Sequence, residues 1–443
     1  MRKSIFVVAL VIIPISFAHA QIPTVERDAL IALYNSTDGA NWSNNANWLG
    51  GEGTECTWYG VTCDGGHVQQ LFLHLNQLSG VIPAELGNLS NLQGLGLPNN
   101  QLIGSIPPEL GNLSTLWELG LNFNQLSGSI PPELGDLSSL EWLYLYSNQL
   151  SGVIPAELGN LSSLQGLLLH SNQLSGSIPP ELGNLYLYKL NLHSNQLSGS
   201  IPAELENLST LPDGNGLDLR WNALHSDNAT LIAFLDGKQD GGDWQSTQTI
   251  ATENLTVDWL GDHTVWLSWD AVSYQSDGGG YSVFSAPTGS GVWTSGGWTE
   301  EKTDTTYPVT GLDPATSYDF SVVSYTDPHL YNLNLVNSDF SPEVMATTAS
   351  LGCAKPIIEI AWGDPITLSV PGSYDSYQWI TGETTSTIDI VPLFDQWYWA
   401  TVTSAGPCQE TGAVWVDPTI PVFLDAFESG DCTAWSTTVG KVP

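Results

Sequence analysis

Basic residues are almost missing from this chain of 443 residues: nine Lys and Arg stand against 46 Asp and Glu, a formal net charge of −37. Phosphate backbones are held by clustered cations, so nucleic acid is excluded as a partner. All charged types together make up only 12% of the sequence, so the acidity is mostly a shortage of cations, and it reads as the solubility of an exported protein. Long apolar runs are missing too. The one at Ile5–Phe17, after Arg2 and Lys3 and before Ala18-His19-Ala20, is shorter than the roughly 20 residues a bilayer span needs. It reads as a secretory signal over residues 1–20, and no transmembrane segment is expected after its removal. No Cys stands at position 21 for a lipid anchor. Catalytic signatures are lacking: HExxH, GxSxG, GxGxxG and GxxxxGK[ST] do not occur, and the acids are scattered or follow a repeat instead of pairing, so no enzyme and no cofactor are expected. Cysteine is sparse. The five fit an oxidising compartment, with Cys56 and Cys63 close together, Cys353 and Cys408 bracketing a later segment, and Cys432 left over. With no CxxC pair and no histidine at ligand spacing, no metal site is expected.

What the chain does have is repetition. Asn76, Asn100, Asn124, Asn148 and Asn172 follow one another at intervals of 24 residues, and Asn195 and Asn222 follow at 23 and 27. Each stands in a frame L-x-x-L-x-L-x-x-N-x-L, as in Leu92, Leu95, Leu97, Asn100 and Leu102, followed by a block such as SGSIPPELGNLS. A unit of that kind is a short strand plus a turn that cannot bury its apolar face alone, so stacked neighbours complete the core of a solenoid. The Asn is placed where the coil turns after its strand, and a buried carboxamide there can satisfy backbone groups the turn leaves unpaired.

Seven coils occupy residues 67–225. An N-terminal cap over 21–66 opens with a helix around Val25–Tyr34 and runs through Trp42, Trp48 and Cys56-Thr57-Trp58-Tyr59-Gly60-Val61-Thr62-Cys63. The C-x-W-x-G-V-x-C core and the repeat L-x-G-x-I-P-x-x-L-G-N-L resemble the plant-type leucine-rich repeat, the class of polygalacturonase-inhibiting proteins and receptor-kinase ectodomains. The resemblance covers roughly residues 25–225 and implies an α/β solenoid; with neither a kinase domain nor a membrane span in the sequence, a receptor kinase is not expected. Residues 226–248 read as a C-terminal cap, a helix starting at Ser226 or Asp227.

From 249 to 349 the pattern changes to alternating strands, LTVDWL, HTVWLSWDAV, GGYSVFSA and TSYDFSVVSY, which predict an all-β sandwich. Trp269, Tyr281 and the run Val309–Pro314 ahead of Tyr318 resemble a fibronectin type III domain. Residues 352–417, from Cys353 past Trp379 and Trp399 to Cys408, resemble an immunoglobulin-like module of bacterial surface proteins. The expected disulfides are Cys56–Cys63 and Cys353–Cys408, and 418–443 is a C-terminal tail.

Because side chains alternate along a strand, residues two, four and six before each Asn point from the concave sheet. Read this way, the fourth coil presents Trp142, Tyr144 and Tyr146 as an aromatic row beside Gly94, Gly96, Gly120 and Gly166, a ridge next to a shallow floor. Phe72 and His74 in the first coil, His170 and His193 on adjacent rungs about 5 Å apart, and Trp221 complete the candidate face. Rigid aromatic faces with almost no charge nearby suit a neutral ligand, an extracellular protein, peptide or polysaccharide. The sequence therefore points to an exported recognition protein. A structural adhesion protein without a defined ligand and an inhibitor of extracellular hydrolases are the alternatives.

Overall fold

The computed structural model describes residues 21–349 and, beyond them, 359–361, 366–369, 376–379, 384–390, 396–403 and 409–416. The expected signal segment, Cys353, Cys408, Cys432 and the tail lie outside the described residues. Two compact units emerge: residues up to Gln248 together with Leu330–Asn334 form the first, and the remainder forms the second.

In the first unit the cap helix runs Thr24–Ser36 and buries Ala29, Leu30 and Leu33 completely. Trp42, Trp48 and Trp58 pack as neighbours behind it, with ring centroids 4.8 and 5.0 Å apart. The Cys56–Cys63 disulfide, with Cα atoms 5.5 Å apart, closes the loop before strand Val61–Asp64. That strand pairs antiparallel with His67–Phe72, and Glu26, buried in the helix, accepts from the Val68 N–H at 2.8 Å and bonds His67 Nδ1 at 2.6 Å.

From His67–Phe72 onward the sheet is parallel, one short strand per coil: Gly94–Gly96, Glu118–Gly120, Trp142–Tyr144, Gly166–Leu168, Lys189–Asn191 and Leu217–Asp218. A second parallel sheet collects Ser79–Val81, Gln101–Gly104, Gln125–Gly128, Gln149–Gly152, Gln173–Gly176, Gln196–Ser200 and Ala223–His225. Helical turns such as Pro108–Asn112 and Pro132–Asp136 complete the coils; they are 3₁₀ turns, and among the described residues of this unit α-helix is confined to the two caps. The glycine of the L-G-N-L block is dictated by stacking: a Cβ on Gly111 would lie 2.3 Å from the carbonyl oxygen of Glu133 in the next coil. The repeat leucines, Leu95, Leu97, Leu119, Leu121, Leu143 and Leu145 among them, are fully buried between the sheets.

The asparagine ladder works as its position implies. Asn148 donates through Nδ2 to the carbonyls of Leu145 (3.0 Å) in its own coil and Leu121 (3.1 Å) in the preceding one, and its Oδ1 accepts from the Leu126 N–H at 3.0 Å. Each Asn from Asn100 onward clamps two coils together in this way, and Asn76 ties the first coil to Asn44 of the cap. The residue before it takes a left-handed backbone, with φ between 52° and 57° at Leu75, Asn99, Phe123, Ser147, Ser171, Ser194 and Trp221. The C-terminal cap helix, Ala229–Lys238, starts two residues later than Ser226: its N-cap is Asn228, whose side chain accepts from the N–H groups of Thr230 and Leu231, while Ser226 Oγ takes the Asn228 N–H. Gln248 then adds a further rung, accepting from the Leu224 N–H at 2.9 Å and donating to the Leu219 carbonyl at 3.0 Å, the bonds an eighth ladder Asn would make.

The second unit is all-β. Strands Thr256–Leu260, Thr264–Ser268 and Thr306–Thr310 form one antiparallel sheet. Thr294–Trp298, Gly279–Pro287, Ser317–Thr326, Val336–Asn337 and Val344–Thr347 form the other. Val265, Leu267, Trp269, Tyr281, Val283, Phe320 and Val322 make its core. The Tyr281 hydroxyl accepts from the Val272 N–H and donates to the Lys302 carbonyl, both at 2.9 Å. The Tyr318 hydroxyl accepts from the Asp313 N–H at 3.0 Å, pinning the corner before its strand. Beyond residue 352 the described strands pair in two three-stranded antiparallel sheets. The chain is thus a leucine-rich solenoid of parallel strands followed by antiparallel all-β sheets.

Candidate functional site

The concave strip is set by the register of the parallel sheet, in which Trp142 stands opposite Glu118 on one side and Gly166 on the other, and Tyr144 opposite Gly120 and Leu168. Trp142 and Tyr144 share one strand face two residues apart, their ring planes parallel within 8° and their centroids 5.8 Å apart. Both are half-buried, so each keeps a solvent-facing side.

The expected open floor of glycines is mostly not there. A Cβ on Gly94 would lie 2.7 Å from Phe72 Cζ, one on Gly96 2.4 Å from Phe72 Cδ1, and one on Gly166 2.2 Å from Trp142 Cε3. These glycines are small because a neighbouring coil's aromatic ring lies flat across them. Phe72 is therefore a floor tile of the strip and Trp142 leans over the fifth coil. Gly120 alone of the four has room for a methyl, whose nearest neighbours would be Gly96, Asn122 and the Leu95 carbonyl at 3.8–3.9 Å, and it too is buried. Burial raises the Glu118 carboxyl above its usual range; burial, and then the neighbouring Glu118 and Tyr146, raise the Tyr144 phenol.

A second aromatic line runs along the solenoid: Tyr146, His170 and His193 stand two before their Asn, and Phe123, the turn residue of the third coil, joins them at one end. Phe123 meets Tyr146 edge-on at 5.1 Å, Tyr146 stacks on His170 at 4.3 Å, and His170 on His193 at 4.6 Å. His170 and His193 thus stand as close as alternation implies, but they are neither exposed nor remote from charge. Burial, then the adjacent His193, lowers His170 to about 3, and Asp218 pulls the other way. Burial also lowers His193, opposed by Asp218, and its Nδ1 lies 2.7 Å from Ser194 Oγ. Asp218 itself is 3% exposed; burial works against its charge, but paired hydrogen bonds from Arg220, at 3.0 and 2.6 Å, outweigh it and hold the carboxyl low. Among the described residues no three His, Cys, Asp or Glu side chains converge on a metal position.

Two expected residues fall elsewhere. His74 is exposed and makes none of these stacks. Trp221 does not project from the concave strand; it is the left-handed turn residue of the last coil, under the Arg220 guanidinium at 4.7 Å, edge-on to His193 at 5.8 Å and stacked on Tyr331 at 4.9 Å. Tyr331 belongs to the solenoid's unit although 110 residues separate it from Trp221 in sequence, and no local pattern announces that pairing.

Comparison with known proteins agrees with this architecture. Residues 23–64 match the leucine rich repeat N-terminal domain, residues 91–113, 115–137, 139–161, 163–185 and 186–208 match leucine rich repeats, and residues 251–330 match the fibronectin type III domain. No curated protein matches the chain. Among solved structures, similarity extends to the PEPR1–AtPEP1 complex, with 36% identity over 46% of this chain and 29% of that one and a TM-score of 0.41. It extends also to two plant receptor kinase ectodomains from Arabidopsis thaliana. One is GASSHO1/SCHENGEN3 in complex with CASPARIAN STRIP INTEGRITY FACTOR 2, with 36% identity over 48% and 26% and a TM-score of 0.43. The other is HAESA in complex with an N-terminal extended IDA peptide hormone, with 30% identity over 49% and 40% and a TM-score of 0.36. The chain spans only about a quarter to two fifths of the length of these relatives.

Proposed function

We propose that this protein is an exported or cell-surface recognition protein that binds a neutral extracellular peptide or glycan on the concave face of its solenoid, without covalent chemistry. The observation that carries the reading is the pair Trp142 and Tyr144, parallel within 8° and half-buried on the concave strip. Rings held in this way lose little entropy on binding and combine an apolar face with polar edges, which suits a sugar ring or a peptide backbone more than a charged group. Beside them stands the Glu118 carboxyl, whose pKa burial raises, so that its charge is disfavoured there. No helix among the described residues is long and apolar enough to cross a membrane, and the sandwich and the strands beyond residue 352, read as an immunoglobulin-like module, serve as spacer or attachment.

The test is a glycan and secretome binding screen with the exported chain, repeated with Trp142→Ala and Tyr144→Ala. Each substitution is expected to cost about 2 kcal/mol or more of binding, as for buried aromatic anchors. Gly166→Ala, whose methyl collides with the Trp142 indole, is expected to weaken binding with Trp142 itself intact. A ligand whose affinity ignores all three and falls only when residues beyond 249 are removed places recognition outside the solenoid.

A further inference from the structure

The segment Leu330–Asn334 lies against the turns of the last three coils, and its pattern of burial is inverted. Leu330 and Leu333 are 85% and 83% exposed, while Asn332 between them is 1% exposed. Apolar burial therefore does not hold the segment in place. Asn332 does, through both of its donors and its acceptor oxygen. Its amide nitrogen donates to the carbonyls of Asn195 (3.0 Å) and Trp221 (2.9 Å) in adjacent coils, and its oxygen accepts the Asn334 N–H at 3.1 Å. Asn334 donates to the carbonyl of Asn172 one coil earlier, Ser194 Oγ donates to the Tyr331 carbonyl, and the Tyr331 ring stacks on Trp221. Two carboxamides two residues apart thus read backbone carbonyls of three successive coils, two of ladder asparagines and one of the turn residue Trp221. An Asp in place of Asn332 would set a carboxylate against two carbonyl oxygens.

The site does not end with the segment. A cleft of about 430 Å³ runs beside it, lined by Ser147, Asn148, Gln149, Ser171 and Gln173, and the ladder carbonyls of Asn148 and Asn124 hold the same places in the preceding coils. We propose that this turn edge is a recognition socket for peptide segments of the pattern aromatic-Asn-x-Asn, and that Leu330–Asn334 is its resident, displaceable occupant. The socket adjoins the end of the histidine line, sharing Ser194 and Trp221 with it, but contains neither Trp142 nor Tyr144 and does not depend on a ligand bound there.

The experiment uses the full chain after residue 20. A fluorescent synthetic peptide of residues 328–336, PHLYNLNLV, is titrated against the native chain and against a vacated variant, Tyr331→Ser with Asn332→Ser and Asn334→Ser. The vacated chain is expected to bind the peptide at least tenfold more tightly than the native chain, because the resident segment no longer competes. A peptide with Asp at both Asn positions is expected not to bind. The proposal is overturned if the vacated chain, with its thermal unfolding intact, ignores the peptide at millimolar concentration or binds the Asp peptide equally well. Should the triple variant lose its fold, Asn334→Asp alone frees the Asn172 carbonyl: tighter peptide binding than to the native chain upholds the socket, and equal binding overturns it.

Discussion

The solenoid and the sandwich that follows it solve one problem in two ways. Both bury backbone groups that regular pairing leaves without partners, and such orphans cost about 1–3 kcal/mol each. The solenoid meets the cost seven times with one residue type at one position, Asn76 clamping the first coil to the cap and each later Asn clamping its coil to the last. The sandwich uses a different device at each place: Tyr281 between Val272 and Lys302, Tyr318 on Asp313, Ser341 on the Val322 N–H and Ser338 on the Ser324 N–H. A device that recurs spreads its load along the chain and is visible as a period. A device used once is invisible until the fold brings its partners together.

The largest expected effect separates the two sides of a single strand of the solenoid. Leu143 is fully buried and its neighbour Trp142 faces the strip. Leu143→Ala is expected to destabilise the solenoid by about 2–5 kcal/mol through the cavity it leaves. Trp142→Ala is expected to leave the melting temperature within a few degrees, and a comparable loss in both, by thermal unfolding followed by circular dichroism, would mean that the aromatic row belongs to the core.

Next comes the contrast between the recurring and the single device. Asn148→Ala orphans the Leu126 N–H and leaves the carbonyls of Leu121 and Leu145 with one donor each, Asn124 and Asn172, at an expected cost of about 1–3 kcal/mol. Tyr281→Phe orphans the Val272 N–H and the Lys302 carbonyl and is expected to cost about 1–3 kcal/mol, confined to the sandwich. Calorimetry resolving two transitions checks both. If each substitution moved both transitions together, the contrast between the units would fail.

Legibility followed the same division. The coil repeat, the Asn ladder, the Cys56–Cys63 bridge of the cap and the change from parallel to antiparallel strands could all be read from the sequence, because periodicity and turn chemistry are local. The strip was read in part. Alternation placed Trp142, Tyr144, His170 and His193 correctly, but it could not say which way a ring leans, so glycines under Phe72 and Trp142 passed for open floor. The N-cap at Asn228 was missed because Ser226, Asp227 and Asn228 are all capable caps and only backbone geometry selects among them. Gln248 as an eighth rung, and Tyr331 on Trp221, depend on the chain returning after long intervals and leave no trace in local pattern.

The smallest effect tests whether the histidine line is structural. His170 is held between Tyr146 at 4.3 Å and His193 at 4.6 Å, and the charged groups acting on the pair are Asp218, Asp240, Lys189 and Arg220. Burial lowers its pKa from 6.5 to about 3, so the folded protein favours neutral imidazole. For a group depressed in the folded state, the stabilisation is complete above the unfolded value of 6.5 and is lost progressively as the pH falls toward about 3, because the unfolded chain takes up a proton that the folded chain refuses. His193 is lowered in the same direction and adds to the slope. His170→Phe keeps a stacked ring but removes the titration, so the variant's melting temperature is expected to fall less steeply than that of the native chain as the pH drops below 6.5. The gap between the two is expected to widen by a few degrees by pH 4, measured at constant ionic strength. Parallel curves over that window would mean that His170 is protonated in the folded protein with little penalty, and that the line from Phe123 to His193 is open enough to be part of the binding surface instead of its support.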